Sequence, residues 1–158
     1  MSTTVSTTTE QSMKQALAAL AAKAGTSKGA FTPEPAPEIN GLLLQLPTSS
    51  AVYLVLNGFR CLVPDLQTMQ NLFNNNPTIT PDINIGLVAE GNPLTSGAVL
   101  VVANGDPTVY LVTNGVKMGI PSPGVFNDYQ FNWGKIQTIP LCVENFIPTG
   151  PVIQGPTS

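Results

Sequence analysis

No histidine occurs in the 158 residues, only 9% of them are charged, and only two are cysteine. Each scarcity narrows the function. Without His there is no Ser-His-Asp or Cys-His nucleophile, and the commonest general base is missing. Cys61 and Cys142, with no His to join them, make no structural zinc site. They are far apart in sequence and read either as a pair or as two small buried side chains. Six Lys and Arg spread along the chain form no basic stripe, and the net charge is −3. No nucleic-acid partner is expected from that balance, because phosphates need clustered cations. No apolar run approaches the ~18 residues of a membrane span. The smoothest run, ALAALAAKA, is interrupted by Lys23. The opening MSTTVSTTTEQSMK has no basic region followed by an apolar one, so no secretory signal peptide is expected. The expected location is in a larger particle or outside the cell by a non-classical route, and otherwise the cytoplasm.

Chemical motifs are equally sparse. No G-x-x-x-x-G-K-[ST] loop is present, and EGNPLTSG lacks the Lys. Paired carboxylates are the one enzymatic route left. Asp65, Asp82, Glu90, Asp106, Asp128 and Glu144 do not match between the repeats described below. Asp65 suits a helix N-cap, and Asp106 suits the NGDP turn. DIN and NGD are too thin for calcium. The expectation is therefore no catalytic residue, no metal and no cofactor.

What the chain does hold is turn and strand material. Gly 14 and Pro 15 are high, and 42% of residues are hydrophobic. The expected fold class is mainly β. Residues 1–38 read as an N-terminal arm. Thr8 and Gln11 form a capping box before a short helix over 10–24. Met13, Leu17 and Leu20 share its apolar stripe, and such a helix gains stability only by docking. Pro33, Pro35 and Pro37 alternate and make 31–38 a stiff linker.

Residues 39–158 are internally duplicated. AVYLVLNGFRCLVPDLQTM from Ala51 is echoed by TVYLVTNGVKMGIPSPGVF from Thr108. Val52 meets Val109 at a shift of 57 (109 − 52). Further on, Gly97 is matched with Gly150 and Ile83 with Ile136 at a shift of 53, with four residues lost near Asn74–Pro77. Repeat 1 then covers about 41–100 and repeat 2 about 98–153. In each, VYLV is a strand and Asn-Gly suits a type I′ hairpin turn. Asp65 and Ser122 then cap one or two helical turns. DINIGLV and KIQTIPL read as further strands. The whole reads as two tandem β-meander repeats forming a pseudo-twofold body. Pro151, Val152 and Ile153 end the second repeat as an open strand. That strand either closes the body or adds to the edge of another subunit.

Three further residues are candidate ligand contacts. Arg60 and Lys117 stand at equivalent strand positions. They read either as a repeated ligand contact or as outward charges that discourage edge pairing. Trp133 joins Tyr129 and Phe131 in the one aromatic cluster. It serves either as a stacking platform for a sugar or as core.

The segments VYLVTNGVK, IPSPGVF, NWGKIQTIP and IPTGPVI resemble tandem repeats in uncharacterised bacterial proteins, often secreted or surface-associated. Repeat 1 departs from that pattern with VPDL for IPSP and no Trp. The resemblance implies a structural or binding role and brings no catalytic residue. The expected function is a non-enzymatic, self-assembling structural or accessory protein. It forms a homo-oligomer and contacts a larger particle or surface through its arm (Met13, Leu17, Leu20) and its last strand. The alternative is a lectin-like module that binds glycan with avidity from oligomerisation.

Overall fold

The computed structural model describes residues 32–157. The expected helix over 10–24, with Met13, Leu17 and Leu20, lies outside the described residues. The fold is mixed, with more strand than helix, and has two four-stranded sheets of similar topology. The first contains β1 (Leu43–Gln45), β2 (Val52–Leu56), β3 (Phe59–Leu62) and β4 (Ile79–Pro81), in the order β3-β2-β1-β4. The second contains β5 (Val99–Ala103), β6 (Asp106–Thr113), β7 (Val116–Ile120) and β8 (Gln137–Ile139), in the order β7-β6-β5-β8. In both sheets the central strands pair antiparallel and the last strand joins parallel.

The hairpins form as the sequence dictates. Asn57 and Gly58 take φ of 49° and 90°, and Asn114 and Gly115 take 55° and 77°. Two successive positive φ values fit the right-handed twist of the flanking strands. After each hairpin comes a short helix, α1 (Leu66–Leu72) or α2 (Pro123–Asp128). Asp65 accepts the Thr68 N–H and Ser122 accepts the Val125 N–H, so both expected N-caps are in place.

The repeat register departs from expectation in its second part. Arg60 N–H bonds the Ala89 carbonyl, and Lys117 N–H bonds the Pro148 carbonyl. Gly91 N–H bonds the Arg60 carbonyl, and Gly150 N–H bonds the Lys117 carbonyl. Gly150 therefore matches Gly91, a shift of 59 (150 − 91), and not Gly97. Both glycines allow a close crossing. A Cβ on Gly91 would lie 2.9 Å from Phe59 Cβ, and one on Gly150 would lie 2.6 Å from Val116 Cγ2. The sheets also pair Leu44 with Thr80 and Val101 with Gln137, so β4 and β8 keep the shift of 57 (137 − 80). Ile83 is not the partner of Ile136. DINIGLV is not a strand either. Asp82 accepts the Asn84 N–H and starts a 3-10 helix over Ile83–Leu87. Its counterpart in the second half is α3 (Leu141–Phe146).

One core lies between the two sheets and draws on both halves. Leu43, Leu54, Leu72 and Phe73 meet Leu100, Leu111, Phe126 and Phe131 there. A second cluster covers the other face of the first sheet, with Ala36 and Ile39 on Leu44, Val55, Ile85 and Val88. The proline-alternating stretch is therefore not free spacer to residue 38. Ala36 N–H bonds the Gly58 carbonyl, and Ala89 N–H bonds the Glu34 carbonyl.

The halves hold each other reciprocally. Asn74 N–H bonds the Gln130 carbonyl, and Asn132 N–H bonds the Leu72 carbonyl. The two bonds exchange under a shift of 58 (132 − 74 and 130 − 72). The end of each repeat also grips the other repeat's hairpin. The Thr95 hydroxyl donates to Asn114 Oδ1 at 3.0 Å, and Gln154 N–H donates to Asn57 Oδ1 at 2.7 Å.

Candidate functional site

The second sheet's outer face carries the densest polar chemistry. Strand alternation along β7 turns Lys117 away from the shared core and under α3. Its ammonium pairs with Glu144 Oε1 and also donates to the Glu144 carbonyl at 3.1 Å. Lys117 Nζ stands 5.0 Å from the centre of the Tyr110 ring. The Tyr110 hydroxyl in turn donates to Asp106 Oδ2 at 2.8 Å. Burial, then this bond, pushes the Tyr110 pKa up to about 12. The main-chain N–H of Thr108, then the Tyr110 hydroxyl, holds Asp106 below the usual carboxylate range. A buried ion pair is tolerated when its polar atoms find partners, and among the described residues no buried side-chain nitrogen or oxygen lacks one.

Arg60 repeats the device on the first sheet. Its guanidinium lies 5.1 Å from the Tyr53 ring centre, and its Nε donates to the Val88 carbonyl at 3.0 Å. Glu90 stands 3.8 Å away. So Arg60 and Lys117 are neither outward-facing nor free. Each rests on the matched tyrosine and ties down the chain that crosses its sheet. The recurrence of Tyr53 and Tyr110 was the signal for this pairing. Glu144 has no counterpart in the first repeat, and its partnership could not be read from spacing.

The aromatic cluster divides. Tyr129 and Phe131 are core. Trp133 is 50% exposed, with its ring stacked on Phe126 at 3.9 Å and its Nε1 donating to Asn127 Oδ1. The expected last strand is not a strand: residues 151–157 take no regular structure, and the segment is engaged within its own chain. Ile153 is fully buried and its N–H bonds the Gly119 carbonyl, while Pro151 and Val152 stay exposed. Ile153 is thus not available to pair with another subunit. Cys61 and Cys142 are both free thiols. Cys61 is buried, which pushes its pKa up to about 11, whereas Cys142 is exposed on α3.

A surface that sequence reasoning did not single out is α3 itself. In LCVENF the buried residue is the charged one, Glu144, at 2% exposure. Phe146 is 88% exposed, and Leu141 and Val143 are exposed too. The helix is thus turned with its acid inward and its apolar residues outward. Among the described residues, no group of three His, Cys, Asp or Glu side chains comes together to hold a metal. No helix there is long and apolar enough to cross a membrane. Comparison of the chain with family models, curated proteins and solved structures finds no match.

Proposed function

We propose that the chain is a non-enzymatic, self-assembling structural protein. A closed, pseudo-twofold body presents apolar side chains to subunits or to a larger particle, and an N-terminal arm tethers the contact. The docking of Glu34–Ile39 on the body shortens that arm to residues 1–33. One observation carries the reading. The polar side chains Lys117, Glu144, Tyr110 and Arg60 are engaged within the chain on the outer faces of the sheets, where they hold down α3 and the crossing segments, while Leu66, Ile83, Phe146 and Val152 are exposed. A contiguous apolar patch marks a contact surface, and Leu141, Val143 and Phe146 are all exposed on the one helix α3. Light scattering on the full chain, and on a chain starting at Thr32, tests this. A defined oligomer or filament that shrinks on truncation supports assembly. Equal monomer masses for both would overturn it.

Trp133 supports a second reading, a lectin-like glycan-binding module. Its ring is pinned on Phe126 while half its surface stays open, as a stacking platform requires. A glycan screen with the wild type and Trp133→Ala decides it. Binding lost in the variant supports the reading, and no binding by the wild type removes it.

A further inference from the structure

We infer that the outward face of α3 is the acceptor site for residues 10–24 of this chain. The inference rests on the assembly reading above and names the surface that receives the arm. At about 100° per residue, Cys142, Val143 and Phe146 share one face of α3 and Glu144 lies opposite. The Lys117–Glu144 pair fixes the helix so that this face stays out.

In the other half, chain from the N-terminal side packs beside the matching helix. The 3-10 helix Ile83–Leu87 is the counterpart of α3. Beside it, Ile85 and Val88 are sealed by Ala36 and Ile39, chain arriving from the N-terminal side. The Gly58 position is likewise filled, with Pro35 Cβ 3.2 Å from where a Cβ would stand. Among the described residues nothing lies within 4 Å of a Cβ at the matching Gly115, and Phe146 is 88% exposed. The second half therefore lacks, among the described residues, the N-terminal chain that packs beside the first hairpin turn, although Ile83 on the first half's helix is exposed as Phe146 is.

Residues 10–24 suit that role in pattern, charge and reach. At helical spacing Met13, Leu17 and Leu20 would share one apolar stripe, a match for Val143 and Phe146. Residues 1–31 hold Lys14, Lys23 and Lys28 against Glu10, a net +2. The remaining residues hold three cations against eight acids, a net −5. Residues 10–24 themselves hold Lys14 and Lys23 against Glu10, a net +1, so segment and body are opposite in sign. The eight steps from Ala24 to Thr32 span at most about 28 Å, twice the radius of gyration of about 14 Å expected for a body this size. The arm can therefore leave its own body and reach a neighbour.

The test uses the full chain. Phe146 is replaced by the photo-crosslinking p-benzoylphenylalanine, which keeps an aromatic ring at the site, and the irradiated product is mapped by mass spectrometry. In parallel, the alkylation rate of exposed Cys142 by iodoacetamide is compared between wild type and Leu17→Ser/Leu20→Ser. The buried Cys61 contributes little to that rate. Crosslinks into 10–24 in a product of doubled mass, with Cys142 reacting about tenfold faster in the double variant, support both acceptor and assembly. Tenfold corresponds to about 1.4 kcal/mol of docking free energy. Crosslinks into 10–24 within a single chain support the acceptor site and overturn assembly through it. No crosslink into 10–24, together with an unchanged Cys142 rate, overturns the acceptor site. Light scattering on the wild type then still decides assembly by itself.

Discussion

Phe73 and Phe131 stack where the two halves meet, with ring centres 5.6 Å apart and planes 24° from parallel. The two residues form an antiparallel bridge, and both side chains are buried. Phe131 also packs against Phe126 and Tyr129. The halves therefore share their largest side chains in one common core. Phe73→Ala or Phe131→Ala is expected to cost about 3–5 kcal/mol, the usual range for a buried Phe. Unfolding should remain a single transition, because the larger core is common to both sheets and the first sheet's own cluster is small. Urea titration followed by both Trp133 fluorescence and far-ultraviolet circular dichroism checks this. Two separated transitions would show that the halves fold independently.

Lys117 and Glu144 permit a sharper test, because both partners are buried. Glu144→Leu leaves the ammonium unpaired in an apolar setting and should cost about 3–5 kcal/mol. Lys117→Met combined with Glu144→Leu removes both charges and should recover most of that loss. Tyr110 would keep its bond to Asp106 in both variants. A double-mutant cycle by chemical denaturation reads the coupling. Additive losses would mean that the pair does not hold α3.

Gly91 and Gly150 distinguish the two repeat registers experimentally. A methyl group at either position meets Phe59 or Val116 closer than 3.0 Å. Gly91→Ala and Gly150→Ala should therefore each cost about 1–3 kcal/mol through overpacking. Gly86 has nothing within 4 Å of its Cβ position and no positive φ, so Gly86→Ala serves as the mild control. Comparable losses at 91 and 150, against little change at 86, are expected in thermal melts.

Much of this organisation was legible because its determinants are local. VYLV and the Asn-Gly one residue beyond it specify a strand and a turn within seven residues, and Asp65 and Ser122 announce the helices that follow them. The first register could be read because identical residues sit at matched places along paired strands. The second could not. The crossing segments around Gly91 and Gly150 each make a single parallel bridge, Arg60 with Glu90 and Lys117 with Thr149. So short a pairing imposes no alternation on the sequence, and Gly97 imitated the true partner. DINIGLV has the apolar content of a strand, but the Asp82 carboxylate captures the Asn84 N–H and bends the chain. The inward turn of Glu144 was hidden for a related reason. An acid in a short segment reads as exposed until its cation, 27 residues away, is placed beneath it.

The two repeats should differ in their response to acid. Asp65 caps α1, and bonds from Ser96 and Thr68 hold its carboxyl below the usual range. Its native pKa is thus lower than its unfolded one of 3.8. The stability it adds is complete above that value and is lost as pH falls through the native pKa. Ser122, its counterpart on α2, does not titrate. Asp128 at the end of α2 behaves oppositely, because burial raises its pKa in the native state. Its ionised form opposes folding at neutral pH, and that opposition fades as pH drops through the native pKa toward 3.8. Asp65→Ser should therefore lower Tm slightly at pH 7 and flatten the fall in Tm below pH 4. Asp128→Asn should raise Tm at pH 7, and the gain should vanish on acidification. Thermal melts of the three proteins from pH 2 to pH 7 check both signs. A gain for Asp128→Asn that grew on acidification would show that Asp128 is stabilised by a partner rather than penalised by burial.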